Sequence, residues 1–401
     1  MVALIRSLAR AFTALTIAPV LVMPALGQTV RGAVGVELRA YPDAPLQSGQ
    51  DDDRVQPSAT LSVNGSGDIG ALRYDVELFG RAAPRNSRQF VGDVREATIG
   101  ASGGKLEWKA GMLAESWGVL EAWNPVDIIN QRDLSEDFQG KVKFGQLGAL
   151  ATTQAGLLSV TGYVTTMARA RRFAQNEDRL QILPAPVLCS TFEDGRWTPG
   201  GGVRVAGSVA GIDVNVGHYV GPDREPELLP VIEAGRFIGL AARYNRIGQT
   251  SLDAQYVTGD AVLKLELIHR SGDSGGSFWG GGAGLENSFG HPFGLGGELT
   301  LYAEFYADGR SDRAPVTPFE RDVFVGARYD FKNTSDTVVE LRATRDLRWE
   351  STLLELRGTR RIAHNLVLQM NLLAPLNAER DRALTALRRD TYIRVGLSRY
   401  F

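Results

Sequence analysis

A two-residue period of apolar and polar side chains runs through the chain after residue 28, and this pattern fixes the secondary structure. Val30, Gly32, Val34, Val36 and Leu38 fall on one face, with Arg31, Glu37 and Arg39 on the other. Leu72, Tyr74, Val76 and Leu78 oppose Arg73, Asp75 and Glu77, and Leu106, Trp108, Ala110 and Met112 oppose Lys105, Glu107 and Lys109. Further on, Leu299, Leu301, Ala303 and Phe305 oppose Glu298, Thr300, Tyr302, Glu304 and Tyr306; Val325, Ala327, Tyr329 and Phe331 oppose Arg328 and Asp330. Leu341, Ala343, Leu347 and Trp349 oppose Glu340, Arg342, Thr344, Asp346 and Arg348. In residues 391–401, Ile393, Val395, Leu397 and Phe401 share the apolar side, opposite Tyr392, Arg394, Gly396 and Ser398. A period of two is that of a strand with one apolar face. A soluble sandwich alternates too, but its strands average about five or six residues. Many runs here reach the roughly 9–11 residues that a tilted strand needs to cross a bilayer.

The expected fold is therefore all-β, a transmembrane antiparallel β-barrel of about 18 strands, within roughly 16–20, with an inward-folded loop. No internal repeat supports a propeller or β-helix. Residues 28–401 form this single domain. Residues 1–27 read as a signal peptide: Arg6 and Arg10 precede a mostly apolar run, and Ala25 and Gly27 are small residues at the cleavage-testing positions. Removing that segment takes the formal charge from -2 to -4, because it holds two arginines and no acid. So mild a charge gives no reason to expect a nucleic-acid partner. The single Cys189 cannot form an internal disulfide and is expected to be a buried thiol. Aromatics such as Tyr41, Trp108, Tyr163, Tyr219, Trp349 and Phe401 are expected in interfacial girdles.

Connection lengths give an orientation. Residues 41–57, 116–142, 168–200, 308–319 and 374–388 are long and belong to one end of the barrel, whereas 332–335 and 361–364 are short turns at the other. Strand counts from the two termini disagree by one between residues 221 and 260, where residues 227–233 are a candidate extra strand. Residues 117–142 are the expected constriction. Trp117, Trp123, Asn124, Pro125, Asp127, Arg132 and Asp133 lie in a run too apolar to sit in water; Asn124-Pro125 favours a turn, and Ser135 suits a helix cap.

The chain's last strand, closing on Phe401, resembles the final strand of bacterial outer-membrane barrels, with Arg399 in place of the usual aromatic or aliphatic residue. That resemblance implies that Phe401 is an assembly signal read by the barrel-assembly machinery, and that the surroundings are outer-membrane lipid and lipopolysaccharide. Trp117-Gly118, the Asn-Pro-Val-Asp run at 124–127, the hairpin at 154–156 and the long proline-containing loop after it resemble a family of Gram-negative porin-like outer-membrane proteins of unassigned function. Some members are thought to work beside inner-membrane lipid or hydrophobe exporters. The resemblance implies an outer-membrane channel or conduit for a small or amphiphilic solute, with a possible periplasmic or exporter partner. An outer-membrane hydrolase of phospholipase or protease type and a structural barrel are the alternatives.

Strand alternation makes Arg31, Glu37, Arg39, Arg73, Asp75, Glu77, Lys105, Glu107, Lys109, Glu298, Glu304, Arg328, Asp330, Glu340, Arg342, Arg348, Glu355, Arg357 and Arg394 the expected pore-lining residues. No catalytic residue, metal site or cofactor is expected. Gly272-Asp273-Ser274-Gly275-Gly276 reproduces a serine-protease pentapeptide, but in this context it reads as a hairpin turn. His218, His269, His291 and His364 lack metal-ligand spacing. Asp51, Asp52 and Asp53 read as a solvated loop. Arg169, Arg171 and Arg172 form a cluster suited to an anion or to a snorkelling rim.

Overall fold

The computed structural model describes residues 29–83, 91–174, 177–294 and 296–401. The expected signal peptide, 1–27, lies outside the described residues. Eighteen strands of 8 to 15 residues form the wall. They are β1 (Thr29–Ala40), β2 (Val55–Ile69), β3 (Leu72–Ala82), β4 (Val91–Gly103), β5 (Leu106–Leu113), β6 (Gln146–Ala155), β7 (Leu158–Thr165), β9 (Gly200–Val209) and β10 (Ile212–Pro222), followed by β13 (Arg246–Thr258), β14 (Ala261–Ser271), β15 (Phe278–Gly290), β16 (Glu298–Asp308), β17 (Arg321–Asp330), β18 (Val338–Asp346), β19 (Thr352–Ala363), β20 (Leu366–Leu376) and β21 (Tyr392–Tyr400). Each wall strand pairs antiparallel with its neighbours, and β1 pairs with β21, so the sheet closes and has no free edge.

The remaining strands, β8 (Val187–Phe192), β11 (Glu227–Glu233) and β12 (Arg236–Tyr244), form a separate three-stranded sheet within two of the long connections. This resolves the miscounted stretch. Residues 227–233 are a strand, but they pair with β12 outside the wall. Because β11 and β12 come as a hairpin, the barrel's strand parity is untouched.

All the long connections leave one rim, and the short turns, together with the outer ends of β1 and β21, occupy the other. Gly272 to Ser277 is a hairpin link between β14 and β15, with Ser274 donating to the Arg313 carbonyl at 3.1 Å. Cys189 is exposed on β8 rather than buried, since that strand belongs to the outlying sheet.

The outer face of the wall is apolar: Leu61, Val164, Val203, Leu263, Leu301, Val325, Leu341, Leu356 and Ile393 are all exposed. Exposed aromatics near the short-turn rim are Trp108, Tyr256, Phe289, Phe331, Tyr400 and Phe401. Tyr41, Tyr163 and Tyr219, expected in a girdle, point inward and are only 2%, 7% and 1% exposed. Their register sets them on the lumen side, where Tyr163 and Tyr219 stack with centroids 6.3 Å apart. Trp349 lies in the turn after β18, its indole N–H donating to Glu320 at 3.3 Å.

Candidate functional site: a loop pinned across the lumen

Residues 114–145 leave β5 at the long-loop rim, fold into the barrel and return to β6. Their first anchor is apolar. Ile128 and Ile129, with Trp117 beside them, pack on the inward side chains Leu113, Leu150, Tyr163, Tyr219 and Ile247 of the adjoining wall. Trp117 meets Tyr163 edge-on at 5.3 Å, and the Arg204 guanidinium lies 4.6 Å above its ring. Asn130 then ties the loop's two stems. Its amide donates to the Leu113 and Phe144 carbonyls at 2.8 and 2.7 Å, and its oxygen accepts from Glu115 N–H.

The second anchor lies further round the wall, on β14 and β16. Five consecutive backbone N–H groups, from Val119 to Trp123, point at inward side chains of β14 and β16. Val119 and Leu120 donate to Glu266 at 2.6 and 3.0 Å; the same carboxylate accepts from Asn124 Nδ2 at 3.0 Å and Val126 N–H at 3.3 Å. Glu121 and Ala122 donate to Glu304 at 2.7 and 3.0 Å. Trp123 donates to the Tyr306 hydroxyl at 3.1 Å, and that hydroxyl donates to Glu304 at 2.6 Å. An irregular segment inside a barrel has no ladder to satisfy its N–H groups, so carboxylates on the wall supply the acceptors. Leu120 fits there because β15 is glycine-lined: a Cβ on Gly282 or Gly284 would come within 2.9 or 3.1 Å of its methyl carbons.

Asn124 and Pro125 form the expected turn, closed by Asp127 N–H donating to the Asn124 carbonyl at 3.2 Å. Asp127 pairs with Lys143 and lies 3.7 Å from Arg132, whose guanidinium sits 4.0 Å over the Trp123 ring. Trp123, Asp127 and Arg132 are thus brought together. Ser135 does not cap a helix. It donates to Asp133 at 2.6 Å within a turn, because Asp133 is the acceptor that organises the segment. Burial, opposed by Ser135 and Arg172, raises the Asp133 carboxyl above the usual range. The arginine cluster is likewise not a rim: Arg169 pairs with Asp93 at 2.6 Å, Arg172 with Asp133 at 3.2 Å, and Arg171 reaches Gln131 at 3.3 Å. All three clamp the loop system to itself or to the wall.

Of the expected lining residues, Glu304 and Arg342 touch the loop directly, the latter donating to the Glu121 carbonyl at 3.4 Å. Glu355 reaches it through Gln139 at 3.4 Å, and Glu37 through Arg81, which also holds Glu136 at 2.8 Å. Lys109 pairs with Glu115 on the loop stem. Arg39 and Arg394 are directly opposite each other on β1 and β21, with Glu37 3.7 Å from Arg394. Glu340 faces both Arg328 and Arg357 across strands, and Arg357 pairs with Glu355 at 2.7 Å. Arg31, Arg73, Asp75, Glu77, Glu107, Glu298 and Asp330 lie in the short-turn half. Lys105 is in the turn between β4 and β5, and Arg348 in the turn after β18, paired with Glu320 at 2.8 Å. Alternation placed both on strands, but each strand stops one or two residues sooner. Glu266 and Tyr306, the principal pins with Glu304, are fully buried or nearly so. Glu266 is absent from the expected lining, although Lys264, Glu266, Ile268 and Arg270 alternate with Leu263, Leu265 and Leu267 in a readable strand.

No family profile and no curated protein matches the sequence. Among solved structures, a mutant of Rh. blastica porin aligns with 93% of this chain and 100% of its own at 12% identity and a TM-score of 0.44. A triple mutant of Rhodopseudomonas blastica porin gives the same coverage at 10% identity and a TM-score of 0.42. The structural neighbours are porins. The 18-stranded closed wall itself establishes the barrel fold.

Proposed function

We propose that this barrel is a bacterial outer-membrane channel that passes small or amphiphilic solutes, with residues 117–142 as its constriction. The observation that carries the reading is the row of five loop N–H groups held by Glu266, Glu304 and Tyr306 on β14 and β16. A wall of about 18 strands encloses more space than its own side chains fill, so a segment fixed across it sets the free bore. The apolar outer face and the aromatics at the short-turn rim suit a bilayer. Coupling to a periplasmic or inner-membrane exporter is the finer form of this proposal, with docking at the short-turn rim; co-purification after in-cell crosslinking tests it. The channel reading is tested by reconstitution into planar bilayers. Discrete single-channel steps are expected, and fully inserted protein that never conducts would contradict it.

A further inference from the structure

Above the constriction, toward the long-loop rim, lies a cavity of about 450 Å³. Phe138, Leu183, Phe319, Leu353 and Leu384 give it an apolar body. One end is different. Asp322 at the start of β17, Asp346 at the end of β18 and Asp381 on the β20–β21 connection all line it and are only 1%, 6% and 4% exposed. Asp322 and Asp346 are direct cross-strand partners, and Asp381 lies within electrostatic range of both.

Among the described residues, no cation pairs with any of the three. Of the five arginines that line the cavity, Arg382 pairs with Asp312 at 2.8 Å, Arg342 with Glu340 at 3.7 Å and Arg132 with Asp127 at 3.7 Å, Arg171 reaches Gln131 at 3.3 Å, and Arg313 forms no ion pair with the three aspartates. Asp346 and Asp381 each spend one oxygen on turn N–H groups, of Arg348 and Trp349 and of Ala383 and Leu384 respectively, and the second oxygen of Asp381 accepts from the Ser351 hydroxyl. Asp322 receives only the backbone N–H of its neighbour Arg321, at 3.1 Å. A buried carboxylate held so sparsely is costly when ionised, and either takes up a proton or draws in a counter-charge. Carboxylates at one end of an apolar cavity complement a cationic head on an apolar body.

We infer that this cavity is a recognition site for amphiphilic ammonium compounds, the ammonium lying among Asp322, Asp346 and Asp381 and the apolar body against Phe319, Leu353 and Leu384. The inference rests on the channel reading in taking the occupant as a solute approaching from the long-loop rim. Ammonium donors satisfy several carboxylate oxygens at once, which neither an alcohol nor an anion can do.

The test uses the full chain in lipid nanodiscs and three probes of one shape: phenylbutylamine, phenylbutanol and phenylbutyrate. Calorimetry is expected to show the amine binding about tenfold or more tighter than either analogue, a difference of about 1.4 kcal/mol. The double variant Asp322→Asn, Asp346→Asn keeps the side-chain shapes and the turn acceptor of Asp346, and is expected to erase that preference. Equal binding of the three probes by the parent, which needs no variant, would overturn the inference, as would a preference that survives in the variant. Conductance of the same preparation is recorded separately. Absence of channel steps would remove the channel reading without touching the binding result, and a conducting barrel without amine preference would do the reverse.

Discussion

Gly32 and Phe401 exchange two backbone hydrogen bonds of 3.0 Å, and the Phe401 ring lies so close over Gly32 that a Cβ there would stand 2.3 Å from its Cζ. This contact extends the β1–β21 seam, the last pairing needed to close the wall. Overpacking of this kind costs about 1–3 kcal/mol. Gly32→Ala is therefore expected to lower the urea midpoint of the lipid-reconstituted barrel, while removal of Phe401 lowers the yield of heat-modifiable barrel in cells. Unchanged midpoint and yield would show that the seam does not depend on this contact.

Glu266 accepts four N–H donors from the loop and is fully buried. Each donor left without a partner costs about 1–3 kcal/mol, so Glu266→Ala should free the first half of the loop. Limited proteolysis is expected to cut within residues 117–126 in this variant and not in the parent. Glu266→Gln, which keeps one acceptor oxygen, should fall between them. Equal resistance in all three would mean that the apolar anchor alone holds the loop.

How much of this was readable beforehand depends on which residues are asked. Alternation along β1, β3, β16, β17 and β21 identified the barrel because one apolar face repeats whatever the register. The inward loop was legible as Trp117, Trp123 and the Asn-Pro turn in a run too apolar for water. Its acceptors were not, because a glutamate such as Glu266 looks the same on a strand whether it faces water or the four N–H donors of a folded loop. Tyr163 and Tyr219 were placed in a girdle for a related reason: residue type near a strand end does not distinguish the lipid side from the lumen side. Arg169, Arg171 and Arg172 found acids and a glutamine that are distant in sequence, and the outlying β8, β11 and β12 mimic wall strands locally.

Charge along the lumen is mixed, with Arg328, Glu340 and Arg357 alternating in sign across β17, β18 and β19, and Glu355 pairing with Arg357 along β19. A wall without a single-sign field focuses neither ion. Bilayer measurements under a salt gradient should give a cation-to-anion permeability ratio within about threefold of unity. A strongly selective pore would show that one sign dominates at the constriction.

At the long-loop rim, burial pushes the Asp273 carboxyl up to about 6 from 3.8, with the Asp223 carboxylate adding to the shift and Arg270 opposing it. A folded-state value above the unfolded one means that the fold favours the protonated acid. The cost of ionising it is absent near pH 4 and fully present above about pH 6. Asp273→Asn should thus raise the thermal midpoint by a few degrees at pH 8 and leave it unchanged at pH 4. The same shift at both pH values would mean that the change acts through packing.

The most direct test of the account is the conductance of a chain lacking residues 119–130, measured beside the parent. Insertion and heat-modifiability should survive, because the wall closes through β1 and β21 without the loop. Single-channel conductance should rise severalfold as the segment spanning from Ile128 and Ile129 to Glu266 and Glu304 is lost. A deletion that inserts normally and conducts like the parent would place the constriction elsewhere and contradict the role assigned to this loop.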